Sequence, residues 1–180
     1  MELPGSAYLY ALATLAMTFA GFCAIVIGLR QTIGKGISGF HIVLTRLYLE
    51  SGLLAAAFAM LPPLLAVCGL DETMTWRAAS AAIATTMAGY GVTYPMRRGA
   101  IMAGRVPRTR WMPIVAISAF VIMGLIGNAV GFPYRPSAGP IAVAATWTLG
   151  CGAIVFVLAL NALWSDPANP QGGAVKADAS

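Results

Sequence analysis

The sequence predicts an all-α integral membrane protein, a helical bundle of five transmembrane helices with its N-terminus outside and its C-terminus cytoplasmic. Three observations predict this fold class: the composition, five apolar runs of spanning length, and the placement of basic residues between those runs. Of the 180 residues, 59% are hydrophobic and only 9% are charged, whereas about a quarter of the residues in globular proteins are charged. Such a composition is typical of membrane proteins.

The five apolar runs cover residues 8–29, 47–70, 78–96, 112–132 and 141–163. A hydrocarbon core about 30 Å thick requires roughly 20 apolar residues in a helix. The third run is the weakest, because Ala, Ser, Thr and Gly dominate it, and we expect it to insert poorly without its neighbours. The first run is expected to be a retained span, since the segment MELPGS before it lacks the basic residues of a secretory leader.

Basic residues concentrate in alternate connectors, as they do on the cytoplasmic side of membrane proteins. Nine of the eleven lie after the first run, after the third run or in the tail, and only Arg77 and Arg135 lie elsewhere. The segment after Trp164 has almost no apolar residues and cannot offset the entropy cost of ordering. We therefore expect residues 1–164 to form the bundle and residues 165–180 to form a disordered tail, on the cytoplasmic side by the distribution of basic residues. The nine are Arg30, Lys35, Arg46, Arg97, Arg98, Arg105, Arg108, Arg110 and Lys176.

Arg46 and Glu50 are the charged residues at the start of the second run. They are four residues apart, so they share one helix face and are able to pair. One interpretation places them at the cytoplasmic boundary as anchors. The other places Glu50 below the interface, where an ionisable residue is a candidate for ion or proton handling, next to a helix kinked by Pro62 and Pro63.

The third and fourth runs contain polar and small residues that predict contacts within the bundle. Thr86 and Tyr90 belong to a polar stripe, which favours close helix packing over a pore. Asn128 and Asn161 are amides that need partners and are candidates to bond each other, and the indole of Trp147 needs one as well. Three glycines of the fourth run, with a G-x-x-x-G pattern, predict a helix-packing face: Gly124, Gly127 and Gly131.

The loop between the third and fourth runs is the densest charged feature. Its arginines are expected to contact anionic lipid headgroups, and it lacks the interleaved aromatic residues of a nucleic-acid site. These arginines are Arg97, Arg98, Arg105, Arg108 and Arg110.

The residue inventory gives no support for catalysis. The chain has one histidine and three cysteines in separate runs, so no clustered metal ligands are expected. No paired carboxylates lie within a plausible site, and no nucleophile-and-base arrangement is readable from the spacing. We therefore expect no enzyme, no cofactor, no metal and no catalytic residue.

Four stretches resemble a class of small uncharacterised bacterial multi-pass inner-membrane proteins: TFAGFCAIVIGLRQ, the basic start of the second run at Arg46, LPPLL and TWRAAS. The resemblance covers the first half of the chain and implies the bacterial cytoplasmic membrane, but no activity. The expected function is a non-catalytic membrane subunit or self-associating bundle, with the lipid bilayer and a homo-oligomer or membrane-protein partner as its contacts. The alternative is a pathway for a small solute, ion or proton that uses Glu50.

Overall fold

The computed structural model describes residues 3–32, 39–102 and 108–164, and the regular elements in these ranges are all α-helices. This confirms the all-α prediction with five helices. They are α1 (Ser6–Thr32), α2 (Gly39–Val67), α3 (Glu72–Met102), α4 (Arg108–Val130) and α5 (Gly139–Trp164). The predicted tail, residues 165–180, lies outside the described residues.

Four helices of the described chain are long and apolar enough to cross a membrane: α1, α2, α4 and α5. α3 is the longest helix, with 31 residues, but it is not among these four. Its length is sufficient, since 31 residues extend about 46 Å at a rise of about 1.5 Å each. Its composition is what sets it apart, as the sequence predicts for the third run.

The helix ends differ from the predicted run ends because turn and cap residues define them. α2 ends at Val67, before the predicted Leu70, because Gly69 adopts a left-handed φ of 90° and Leu70 N–H bonds the Leu65 carbonyl. α4 ends before Gly131 in the same manner. Both ends are Schellman-type caps, in which glycine takes the conformation that side chains disfavour.

α3 begins earlier than predicted because Asp71 caps its amino end. The Asp71 carboxylate accepts a hydrogen bond from Met74 N–H at 3.3 Å, which satisfies one of the backbone donors that the first turn leaves unpaired. Arg77, predicted as a connector residue, therefore lies inside the helix.

Neighbouring helices in sequence run antiparallel. Tyr90 in the second half of α3 reaches Glu50 in the first half of α2, whereas Arg77 near the start of α3 reaches Ala129 and Val130 at the end of α4. Cys23 late in α1 and Val155 late in α5 cluster with Leu44 early in α2. α1 thus ends, and α2 begins, at the end of the bundle where α3 ends and α4 begins. The helix ends that flank the two basic connectors are therefore at one end of the bundle.

The main core lies where all five helices meet. One fully or nearly fully buried side chain from each helix illustrates it: Leu9, Phe58, Trp76, Leu125 and Ile141. Trp76 is 1% exposed, and its indole N–H points to Glu72 Oε1 at 3.5 Å. The largest aromatic side chain of α3 therefore contributes to the core of the bundle.

Pro62 and Pro63 are buried within α2, and the helix is continuous across them. Proline removes a backbone donor at each position. The sequence predicts a kink at these prolines. In the structure both proline rings are buried inside the protein.

Candidate functional site

Arg46, Glu50 and Tyr90 are predicted site residues that the structure brings together from two helices. Arg46 Nε donates to Glu50 Oε1 at 2.8 Å along α2, as the spacing of four predicts. Tyr90 OH on α3 donates to the other carboxylate oxygen, Oε2, at 2.7 Å. The sequence gives each residue separately as a candidate, but only the packing of α2 on α3 brings Tyr90 to Glu50.

This cluster, Arg46–Glu50–Tyr90, lies at the start of the apolar segment Leu44–Val67 of α2. The Arg46 side chain is 72% exposed and that of Glu50 is 29% exposed. An ion pair this open contributes little to stability in water. The guanidinium and the phenol each bond one carboxylate oxygen, so the cluster fixes the orientation of Glu50 where α2 enters the apolar region.

Thr86 does not join this cluster. Its hydroxyl donates to the Ala82 carbonyl of its own helix at 2.8 Å, and Thr85 and Thr93 bond their own helix in the same way. All three threonines are exposed. The stripe predicted from the sequence therefore divides: Tyr90 faces α2, whereas the threonines lie on the outer face of α3.

A second polar cluster occupies the opposite end of the bundle, around the fully buried Asn128. Asn128 Nδ2 donates to Ser80 Oγ at 2.7 Å and to the Ser137 carbonyl at 3.1 Å, and Asn128 Oδ1 accepts from Ser137 N–H at 2.9 Å. The amide thereby joins α3, α4 and the segment before α5. Asn161 lies near the far end of α5, so the two amides do not bond each other as the sequence suggests.

Ser80 and Ser137 are the members of this second cluster that sequence reasoning missed. A signal for Ser80 exists, because Trp76, Ser80, Ile83 and Met87 recur at the spacing of one helix face, and the first three are buried. A serine on that face needs a buried partner. Ser137 offers no comparable signal, since it bonds Asn128 mainly through its backbone.

The predicted helix-packing glycines of α4 border a loop of their own chain. A Cβ added at Gly127 meets the Phe132 carbonyl at 3.1 Å and Tyr134 OH at 3.3 Å, and Tyr134 OH donates to the Gly124 carbonyl at 2.7 Å. Gly131, with φ of 82°, caps the helix. Within the chain, loop atoms cover these positions, and their contact with another protein stays a prediction.

Close helix contacts within the bundle depend on two glycines that the sequence did not single out. A Cβ at Gly152 of α5 meets Ser51 Cβ of α2 at 2.9 Å, and a Cβ at Gly52 meets Phe19 and Ala20 of α1 at 3.2 and 3.3 Å. α2 therefore approaches α1 and α5 closely at adjacent residues.

The predicted lipid-headgroup arginines fall outside what the structure describes. The backbone of Arg97, Arg98, Arg108 and Arg110 lies in α3 or α4, but their side chains, like the whole of Arg105, are beyond the described atoms. Their contact with lipid stays a prediction.

An open apolar groove of about 570 Å³ runs between α1 and α2. Its polar groups, the hydroxyls of Thr14 and Thr18, donate to carbonyls of their own helix. Among the side chains that the structure describes, in residues 3–29, 44–93 and 112–161, no three His, Cys, Asp or Glu side chains converge in a way that holds a metal ion. The groove is lined by Ala13, Thr14, Met17, Thr18, Leu53, Ala56, Ala57 and Met60.

Comparison with protein-family models, curated proteins and solved structures gives no match. The resemblance to bacterial inner-membrane proteins accordingly stays a prediction, and the functional argument depends on the geometry of this chain.

Proposed function

We propose that this chain is a non-catalytic, multi-pass protein of the bacterial cytoplasmic membrane that acts as a membrane subunit or a self-associating bundle. In this proposal all five helices cross the bilayer, the N-terminus is outside, and the C-terminus is cytoplasmic. The proposal needs α3 to cross even though its composition is less apolar than that of the other helices.

The packing of α3 supports its crossing. Arg77 near its start hydrogen-bonds α4, and Tyr90 further along hydrogen-bonds α2. These two residues are about 20 Å apart along the helix. The contacts therefore extend over most of a hydrocarbon core about 30 Å thick. A crossing α3 also brings both basic connectors to one side, as the positive-inside rule requires.

The observation that carries the proposed association is the outer face of α3. Ala81, Thr85, Gly89 and Thr93 recur at a spacing of four and are all exposed, and in the part of the chain that the structure describes no atom outside the helix lies within 4 Å of a Cβ added at Gly89. Small residues at this spacing allow helices to approach closely in membranes. A less apolar face is also the one that gains least from contact with lipid.

The association is tested by crosslinking the full chain in native membranes and comparing two leucine substitutions. Gly89→Leu places a bulky side chain on the proposed face. Gly21→Leu is the matched control, because Gly21 is an exposed helical glycine with equally open space on α1. Loss of the crosslinked species only in Gly89→Leu supports the proposal.

The size of the crosslinked species identifies the partner, because the chain mass is 18.7 kDa. A species at a whole-number multiple of that mass indicates self-association, and a mass that is not such a multiple indicates a different membrane protein. No crosslinked species, or equal behaviour of the two variants, contradicts association through α3.

A second candidate function, an ion or proton pathway, is favoured by the contact between Glu50 and Tyr90. A carboxylate shared between two helices at the start of a span is a candidate proton or cation site. Glu50→Gln should then abolish flux in proteoliposomes while Glu72→Gln, at the opposite end of α3, leaves it unchanged. Unchanged flux in Glu50→Gln rules out this pathway.

A further inference from the structure

α3 presents a problem of membrane insertion that the other helices do not. Its outer face carries threonine, alanine and glycine, and it is the helix of the described chain that lacks the apolarity of a span. A helix of this kind gains little from entering lipid by itself. Something other than its own apolarity must hold it among α2 and α4.

Asn128 of α4 supplies one such contact. Its amide nitrogen donates to Ser80 Oγ of α3 at 2.7 Å and to the Ser137 carbonyl at 3.1 Å. Its amide oxygen accepts from Ser137 N–H at 2.9 Å. Asn128 and Ser80 are both fully buried. In hydrocarbon neither side chain has water as an alternative partner, so each lowers the cost of placing the other at membrane depth.

Arg77 supplies a second contact between the same two helices. Its Nε donates to the Ala129 carbonyl at 2.8 Å, and its Nη2 donates to the Val130 carbonyl at 3.4 Å. The last carbonyls of a helix lack intrahelical partners and carry the negative end of the helix dipole. Arg77 therefore binds the end of α4, which explains a basic residue at the end of the bundle opposite the basic connectors.

The order of these contacts along the chain matters. Ser80 and Arg77 lie near the start of α3, whereas their partners lie at the end of α4. During synthesis the start of α3 is therefore complete long before the groups that bind it. The hydrogen bond from Tyr90 to α2 lies at the other end of α3, and near its start α3 shares apolar packing with α2, around Trp76 and Phe58.

We infer that α3 becomes fixed across the membrane together with α4, as one antiparallel helical hairpin, and that Asn128 and Arg77 are the residues that lock this hairpin. The inference rests on the proposed five-span topology. It assigns Asn128 a positioning role in insertion: an amide inside an apolar helix is tolerated there because α3 satisfies it.

The experiment measures the side of the membrane reached by two single cysteines in the full chain. The first chain keeps the native Cys68, which is exposed in the turn between α2 and α3, as its single cysteine. The second carries Gly104→Cys, between α3 and α4, as its single cysteine. All other native cysteines are replaced by serine in each chain. Intact cells are treated with a membrane-impermeant maleimide, before and after permeabilisation. In the otherwise unchanged chain, Cys68 should be labelled in intact cells and Gly104→Cys only after permeabilisation.

Asn128→Leu is the decisive variant. The substitution makes α4 more apolar, so the insertion of α4 considered by itself should improve. The inference predicts that α3 nevertheless inserts less well, because it loses its partner on α4. The ratio of external to internal label at Gly104→Cys should rise by about three-fold to twenty-fold, which is the range that one interhelical hydrogen bond in a membrane implies. Met123→Leu, at an exposed position of α4, is the matched control and should leave the ratio unchanged.

A rescue variant separates failed insertion from general misfolding. Adding Thr85→Val and Thr86→Val makes α3 more apolar and removes no partner from another helix, because both hydroxyls bond their own helix. These changes should return the label ratio of Asn128→Leu toward its original value. A ratio that Asn128→Leu leaves unchanged, or that the valines do not restore, overturns the inference.

The outcomes also distinguish this inference from the topology on which it rests. If Cys68 and Gly104→Cys react on the same side in the chain with native Asn128, the five-span topology is wrong and the hairpin falls with it. If they react on opposite sides and Asn128→Leu changes nothing, the topology stands and only the hairpin is wrong.

Discussion

Replacing Gly152 by alanine is expected to destabilise the bundle, whereas the same change at Gly150, one half-turn earlier on α5, is expected to stabilise it. A Cβ at Gly152 meets Ser51 Cβ at 2.9 Å and the Tyr48 carbonyl at 3.4 Å, but nothing lies within 4 Å of a Cβ at Gly150. The added methyl at Gly152 therefore has to push α5 away from α2. The two positions form a matched pair on one helix.

The magnitudes follow from two opposing effects. Alanine in a helix interior is more favourable than glycine by about 0.5–1 kcal/mol, and this gain applies at both positions. Overpacking a well-packed contact costs about 1–3 kcal/mol, and this cost applies only at Gly152. The two variants should thus differ in free energy of unfolding by about 1–3 kcal/mol, with Gly150→Ala the more stable.

The assay is reversible unfolding in mixed micelles of a mild detergent and dodecyl sulfate, followed by the helical circular dichroism signal. Ser51→Gly in the Gly152→Ala background removes the clashing Cβ, so it should recover part of the lost stability. Such coupling is expected for residues in direct contact. If Gly152→Ala is as stabilising as Gly150→Ala, α2 and α5 do not approach each other as the structure shows.

Three further substitutions test polar contacts and a helix cap by the same unfolding assay. Tyr90→Phe removes the hydrogen bond to Glu50 and should cost about 0.6 kcal/mol, the average for such bonds in membranes; an unchanged stability contradicts a bond between α2 and α3. Arg77→Met keeps much of the side-chain length but removes the donors to the end of α4, and should lower the free energy of unfolding by about 1 kcal/mol. An unchanged free energy of unfolding would indicate that water replaces the guanidinium at those carbonyls. Gly131→Ala forces a side chain into a left-handed conformation and should cost about 1–2 kcal/mol, while Gly124→Ala, with nothing closer than 4.0 Å, should cost nothing.

The helices were predictable because the apolar runs are long and their connectors are short and polar. Their ends were less so, since they depend on caps rather than apolarity. Gly69 ends α2 three residues before the predicted end of its run, and Asp71 begins α3 well before the apolar residues do. Glycine and aspartate signals next to each run contain this information, but hydropathy alone does not.

Polar contacts within one helix were predictable, but those between helices were not. The spacing of Arg46 and Glu50 dictates their pairing, and the structure confirms it. The choice of Tyr90 as the third member depends on how α3 is rotated and shifted against α2, which a single sequence does not encode locally. The expectation that the Trp147 indole finds a partner is confirmed, and the partner is Ser118 Oγ at 3.0 Å on α4.

The small-residue pattern was the least specific of the sequence signals. The G-x-x-x-G of α4 attracts attention, but loop atoms lie next to Gly127 and Gly131 caps the helix. The glycines that permit close helix contact are Gly52 of α2 and Gly152 of α5, and neither belongs to a G-x-x-x-G motif. Which glycine faces a neighbour is decided by the packing of whole helices, and the motif does not report it.

The most direct test of the account is the membrane side of the two basic connectors. Lys35→Cys and Gly104→Cys are placed singly in a chain whose native cysteines are replaced by serine, and intact cells are treated with an impermeant maleimide. The account predicts that both positions stay unlabelled until the membrane is permeabilised, because a crossing α3 brings both connectors to the cytoplasmic side. Labelling of one position but not the other in intact cells would contradict it.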